Sequence, residues 1–161
     1  MEESHAVYIL KELITGIKYL HSIDTMHRDL KSENVLLNVN GDLKIADLGL
    51  ATPTDPGKFS HTTLAGSRAW MAPEVIKVEG YNESADIWSL GCIGMELADG
   101  HPPHHSGTDS LQNLLLMVTK GPPEVRSTKI CSPNYKQFLR KCFNMDKKKR
   151  LSAAALLKLS L

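Results

Sequence analysis

His27-Arg28-Asp29-Leu30-Lys31-Ser32-Glu33-Asn34 is the stretch that decides how this chain is read. Eight residues set a carboxylate, an ammonium and a carboxamide side by side, the equipment for moving a phosphoryl group onto a hydroxyl. Upstream, Ala6, Ile9, Leu10, Leu13, Ile14, Ile17 and Leu20 recur at helical spacing, which predicts a helix with one broad buried face. Downstream, Val35-Leu36-Leu37 and Leu43-Lys44-Ile45 flank Asn40-Gly41, a strong short-range signal for a β-hairpin. Such a hairpin returns the chain to where it left, so Asp47 is expected to meet Asn34.

Beyond Asp47-Leu48-Gly49 the stretch 50–70 has no sustained period and is rich in Thr, Ser, Gly and Pro. It reads as a long functional loop. Ser84 is placed as the N-cap of a central buried helix over 85–98, ended by Gly100 and Pro102-Pro103. Thr108 or Asp109 opens a further helix through 111–118, closed by Gly121-Pro122-Pro123. Ser132-Pro133 and Ser152 cap the last two, over 135–142 and 153–159. The fold class is therefore mainly α with a small β-hairpin inserted near the catalytic string.

With 161 residues, the chain is long enough for one domain with a real core. It is 42% hydrophobic and 23% charged, with a formal net charge of +1, which gives no electrostatic reason to expect nucleic acid as partner. No apolar run reaches membrane-spanning length, and the acidic start Met1-Glu2-Glu3 lacks the form of a signal peptide. Cys92, Cys131 and Cys142 are odd in number and widely spaced, which suits reduced thiols in an intracellular, cytoplasmic chain. The Asn82-Glu83-Ser84 sequon carries no meaning in that setting. His101, His104 and His105 read as an exposed loop rather than a metal site, and Lys147-Lys148-Lys149 as a solvated basic patch.

Phosphoryl transfer needs positioning and charge stabilisation more than covalent work from the protein. Asp29 suits the general base, accepting a hydrogen bond from the attacking hydroxyl; such groups contribute on the order of 10²- to 10⁴-fold in rate. Lys31 is placed to set its ammonium against the transferring phosphate. Asn34 and Asp47 offer the hard oxygens by which Mg²⁺ is held beside nucleotide phosphates. Gly49 supplies backbone freedom where the long loop departs.

The string resembles the H-R-D-L-x-x-x-N catalytic loop of eukaryotic protein kinases, and Asp47-Leu48-Gly49 and Ala72-Pro73-Glu74 follow in that family's order. The resemblance covers the whole chain as a kinase C-terminal lobe, residues 1–161, with catalytic loop 27–34 and activation segment 47–74. It implies a serine/threonine kinase using ATP and Mg²⁺, with a protein serine or threonine as acceptor. By that resemblance Glu33 touches ribose and peptide through its backbone, and Leu36 forms the floor under adenine. His27 belongs to the same loop, Asp86 fixes its backbone, and Glu74 pairs with Arg150. Arg28 is placed to bind a phosphate on Thr63, with Thr62 and Ser60 as competitors, added by an upstream activator or by autophosphorylation. Lys31 points to the serine/threonine class. The segments 86–103 and 141–146 resemble sterile-group kinases, those activated by small GTPases being nearest.

Several positions depart from the family pattern. Leu48 replaces the usual Phe, Ser67 the usual Thr, and Arg68-Ala69 a proline and aromatic pair beside Trp70; Thr52 stands where some kinases carry a second basic residue. No Gly-rich loop, V-A-I-K lysine or matching helix glutamate precedes Met1. The N-terminal lobe is therefore expected to be absent and the isolated chain inactive or nearly so. A non-catalytic kinase-like binding module and an inactive truncated remnant are the alternatives.

Overall fold

Segments of apolar side chains at helical spacing must find partners, and the central one is the most completely enclosed. A computed structural model of the chain describes residues 1–55, 57–105, 111–127, 129–130 and 132–161. Helix α3, Ser84–Asp99, is buried without interruption from Ala85 to Met95, as an apolar run on every face requires. Helix α1, Glu3–Ser22, runs a few residues beyond its predicted ends and lays Ala6, Leu10, Leu13, Ile14 and Ile17 against α3. The amphipathic helix α5, Pro133–Cys142, closes the other side of α3 with Tyr135, Phe138 and Leu139. Together with Ile87, Leu90 and Ile93 these side chains form the main core; a second cluster around Trp88, Tyr81, Met26 and Met71 lies under segment 61–76.

About half of the chain is helical, and the strands form two small antiparallel ribbons. Strands β2 (Val35–Leu37) and β3 (Leu43–Ile45) form the expected hairpin, with Val35 opposite Ile45 and Leu37 opposite Leu43. Besides Gly41 at φ 92, the Asn38 carboxamide oxygen closes the turn by accepting from the N–H groups of Asn40 and Asp42, each at 2.9 Å. Strands β1 (Thr25–Met26) and β4 (Thr52–Pro53) make the other ribbon, which two-residue strands cannot announce through periodicity. The stretch read as one long loop is thus tied at its start to the chain just before His27.

The caps fall close to their predicted places, with one correction. Ser84 is already helical, and its hydroxyl has no hydrogen-bond partner; the Asn82 side chain instead accepts from the Ser84 N–H at 3.1 Å. Gly100 ends α3 at φ 82. Ser132 caps α5 by accepting from Tyr135 N–H, and Ser152 caps α6 (Ala153–Leu156), which stops short of Leu159. Helix α4 spans Leu111–Lys120. Its predicted openers Thr108 and Asp109, and Cys131, lie outside the described residues, while α2 is the single turn Pro73–Ile76. Cys92 and Cys142 are free and buried, and burial pushes both thiols up. No helix among the described residues is long and apolar enough to cross a membrane.

Candidate active site

The string 27–34 lies across the N-terminal end of α3, and Asp86 in that helix's first turn shapes it. Its carboxylate is 1% exposed and accepts three hydrogen bonds: from His27 N–H at 2.8 Å, Arg28 N–H at 2.9 Å and the His21 ring at 2.9 Å. Arg28 consequently sits at φ 69, a conformation that costs a non-glycine residue about 1–3 kcal/mol and persists because its surroundings impose it. His27, wholly buried, joins string to hairpin. Its Nδ1 accepts from Asp29 N–H at 3.2 Å, so its Nε2 carries the proton and donates to the Ala46 carbonyl at 3.0 Å. Ala46 N–H in turn donates to the Asn34 carbonyl at 2.8 Å.

These bonds set Asp29, Lys31 and Asn34 beside one another and lay Ala46, the neighbour of Asp47, on the Asn34 backbone. Asp29 Oδ1 accepts from Ser67 N–H at 2.7 Å, and its Oδ2 lies 3.6 Å from Lys31 Nζ. Lys31 Nζ also lies 3.1 Å from Glu33; that hydrogen bond, reinforced by the Asp29 charge, holds the ammonium above its ordinary value of 10.5. The Asn34 amide nitrogen donates to the Asp29 carbonyl at 2.9 Å, so its Oδ1 takes no part in that bond. Asp47 follows Ala46 directly and stands at φ 61, with one carboxylate oxygen accepting from Gly49 N–H at 3.3 Å. A carboxylate and a carboxamide oxygen, as Asp47 and Asn34 carry, are ligand types that Mg²⁺ takes. Leu36 lies on the exposed side of the hairpin, 56% accessible.

Arg28 and Glu74, both singled out in the sequence, find side-chain partners in the structure. Arg28 donates through Nε to the Leu50 carbonyl at 2.5 Å and through Nη1 to the Thr63 hydroxyl at 3.3 Å, clasping both ends of segment 50–63. Glu74 and Arg150 make a two-pronged ion pair at 2.6 and 3.1 Å, with side-chain exposures of 4% and 0%. Arg150 also donates to the carbonyls of Ser84 and Asn144 and lies 5.1 Å from the Trp88 ring centroid.

Sequence reasoning missed other participants. The Tyr81 hydroxyl, in a residue 1% exposed, donates to the Thr63 carbonyl at 2.8 Å and lies 3.3 Å from the Thr63 hydroxyl. Glu96 accepts from the Ser32 hydroxyl at 2.9 Å and from the Trp70 indole at 2.6 Å, and burial holds its carboxyl above the usual 4.5. Neither residue carries a local signal, because each acts across 18 or more positions. Lys147 departs from the solvated patch expected of its run: its ammonium donates to the carbonyls of Glu79 and Gly80 and lies 4.9 Å from the Phe59 ring centroid. In the 101–105 loop only His105 is exposed; its ring stacks on His101 at 5.7 Å, while His104 bonds the Gly121 carbonyl.

The protein kinase domain family matches residues 1–161, and the chain belongs to the protein kinase family. It is 39% identical over 96% of its length to the serine/threonine-protein kinase pakB of Dictyostelium discoideum. It is 38% identical over 98% to SKM1 of Saccharomyces cerevisiae, and 36% over 98% to the serine/threonine-protein kinase PAK 1 of Mus musculus. The matched stretch is 18%, 24% and 29% of those proteins' own lengths, so the chain spans less than a third of each.

Proposed function

We propose that these residues are the C-terminal lobe of a serine/threonine protein kinase, which transfers the γ-phosphate of ATP to hydroxyls on protein substrates. The observation that carries this reading is the joint orientation of Asp29, Lys31 and Asn34, held by Ser67, Glu33 and the Asp29 backbone. Residues 27–34 act as the catalytic loop and 47–74 as the activation segment. Asp29 orients the acceptor hydroxyl and takes its proton late; the Ser67 N–H at one carboxylate oxygen leaves the other to meet it. Lys31, kept charged by Glu33 and Asp29, steadies the phosphoryl group as it passes. Asn34 and Asp47 hold Mg²⁺, which when bound neutralises charge on the nucleotide phosphates. His27 and Asp86 act through the backbone they fix. A phosphate on Thr63 would meet Arg28, already within reach of the hydroxyl.

The family's Gly-rich loop and paired lysine do not occur within these 161 residues. The test therefore joins them to the nucleotide-binding lobe of one of the relatives and follows transfer of the γ-phosphate to a protein substrate. Phosphoserine and phosphothreonine are expected, with Asp29→Asn lowering turnover about 10²- to 10⁴-fold. A fusion that binds nucleotide and Mg²⁺ yet transfers nothing would favour the non-catalytic binding module.

A further inference from the structure

Residues 57–63 touch the rest of the molecule along a line that the catalytic residues do not use. Gly80 stands at φ 48, and a Cβ there would strike the Phe59 carbonyl at 2.6 Å, so the two backbones are in direct contact. One residue on, His61 and Tyr81 exchange backbone hydrogen bonds at 2.9 and 3.2 Å as an isolated antiparallel bridge, with their rings 5.8 Å apart. Two residues further, Tyr81 holds Thr63. Alternate residues of the extended segment 59–63 therefore all lie against 80–81. At the open end of this line stands Lys147. It comes from the turn 147–149, where the Asp146 carboxylate accepts from Lys148 N–H at 3.0 Å and orients the run. The ammonium donates to the Glu79 and Gly80 carbonyls and covers the half-buried Phe59 ring, joining both partners of the line at one point. Its neighbour Lys149 makes an exposed pair with Asp146 at 3.5 Å.

We infer that Lys147 and Phe59 form a latch that docks segment 57–63 without a phosphate on Thr63. Lys147 is a positioning residue: it fixes the turn 79–80 and, through the Phe59–His61–Thr63 line, holds the Thr63 hydroxyl beside Arg28. Only the consequence for regulation rests on the kinase reading; the latch itself does not. On that reading, phosphorylation of Thr63 adds charge-assisted contacts to a segment already in place, rather than ordering it from a free state.

Amide hydrogen exchange in peptides covering 57–66, measured on the unphosphorylated, nucleotide-free chain, tests this. Lys147→Met keeps the length of the side chain and removes charge and donors; Phe59→Leu removes only the ring. Both are expected to speed exchange in 57–66, by about tenfold for Lys147→Met, with α1 and α3 unchanged, while Lys147→Arg stays close to the parent chain. Should Lys147→Met fail to fold, the Phe59→Leu and Lys147→Arg pair carries the comparison alone. Parental exchange rates in both Phe59→Leu and Lys147→Met, or a segment 57–66 already unprotected in the parent chain, would overturn the inference. Because no nucleotide is present, failure of phosphotransfer in the fusion described above leaves this result standing, and the reverse holds equally.

Discussion

A buried carboxylate that accepts three hydrogen bonds, as Asp86 does, and a buried guanidinium that answers a carboxylate with two prongs, as Arg150 does, meet the same requirement in different ways. Charge taken out of water must be matched at every lone pair and proton. Glu74→Gln leaves the Arg150 charge enclosed and half-paired, so unfolding in urea is expected to show a loss of about 3–5 kcal/mol. The Glu74→Met/Arg150→Met double variant should recover much of that loss, since no charge is then stranded. Glu96 gives a prediction in pH. Its folded-state value lies above the ordinary 4.5, so its neutral form favours the folded chain. That contribution is complete below about pH 4.5 and is lost as pH rises through the folded-state value. Ionisation also changes what the Trp70 indole N–H meets at 2.6 Å. Trp70 emission is therefore expected to titrate with a midpoint above 4.5, and Glu96→Gln to abolish that transition.

Helices α3 and α5 approach closely because α3 presents Gly91 and Gly94 to its partner. A Cβ at Gly91 would lie 2.8 Å from both the Cys142 Cβ, which is fixed to its backbone, and the Phe143 ring, which packs edge-on to Trp88. At Gly94 the nearest atom, also at 2.8 Å, is the Cδ2 end of the Leu139 side chain, which can rotate. Gly91→Ala is therefore expected to destabilise by about 1–3 kcal/mol in chemical denaturation and Gly94→Ala by less, despite the better helix propensity of alanine in both. Equal losses would mean that the α3–α5 contact yields as a unit. The elements legible in sequence were those with a signal inside one turn or one hairpin: α1 from its apolar stripe, β2 and β3 from Asn40-Gly41, α5 from Ser132-Pro133. The β1–β4 ribbon was not, since two residues carry no period and their partners stand 26 or more positions apart.

At the scale of the whole molecule, four apolar side chains of the hairpin and the turn after it, Leu36, Leu37, Val39 and Leu48, are each more than half exposed. Exposed apolar side chains concentrated in one segment are candidates for an interaction surface. Replacing Leu36 and Val39 together with Gln should lower the binding of a hydrophobic dye such as ANS and reduce self-association of the chain. The unfolding midpoint should stay within about 0.5 kcal/mol in free-energy terms, because neither side chain is packed. Unchanged dye binding would place the accessible apolar surface elsewhere.

The residues alone determined which chemical groups this protein brings to bear and the local shape of the segments that carry them. Caps, turns and apolar stripes act over a few positions, and the string 27–34 holds its functional groups within one such window. Only tertiary structure decided which distant groups hold those segments in place: Ser67 on Asp29 across 38 positions, Glu96 on Ser32 across 64, Lys147 on Gly80 across 67. Lys147 shows why. In sequence it is one cation in a run of four, indistinguishable from Lys148, and which of them meets a carbonyl and a ring is fixed by how the turn 147–149 packs beneath α3.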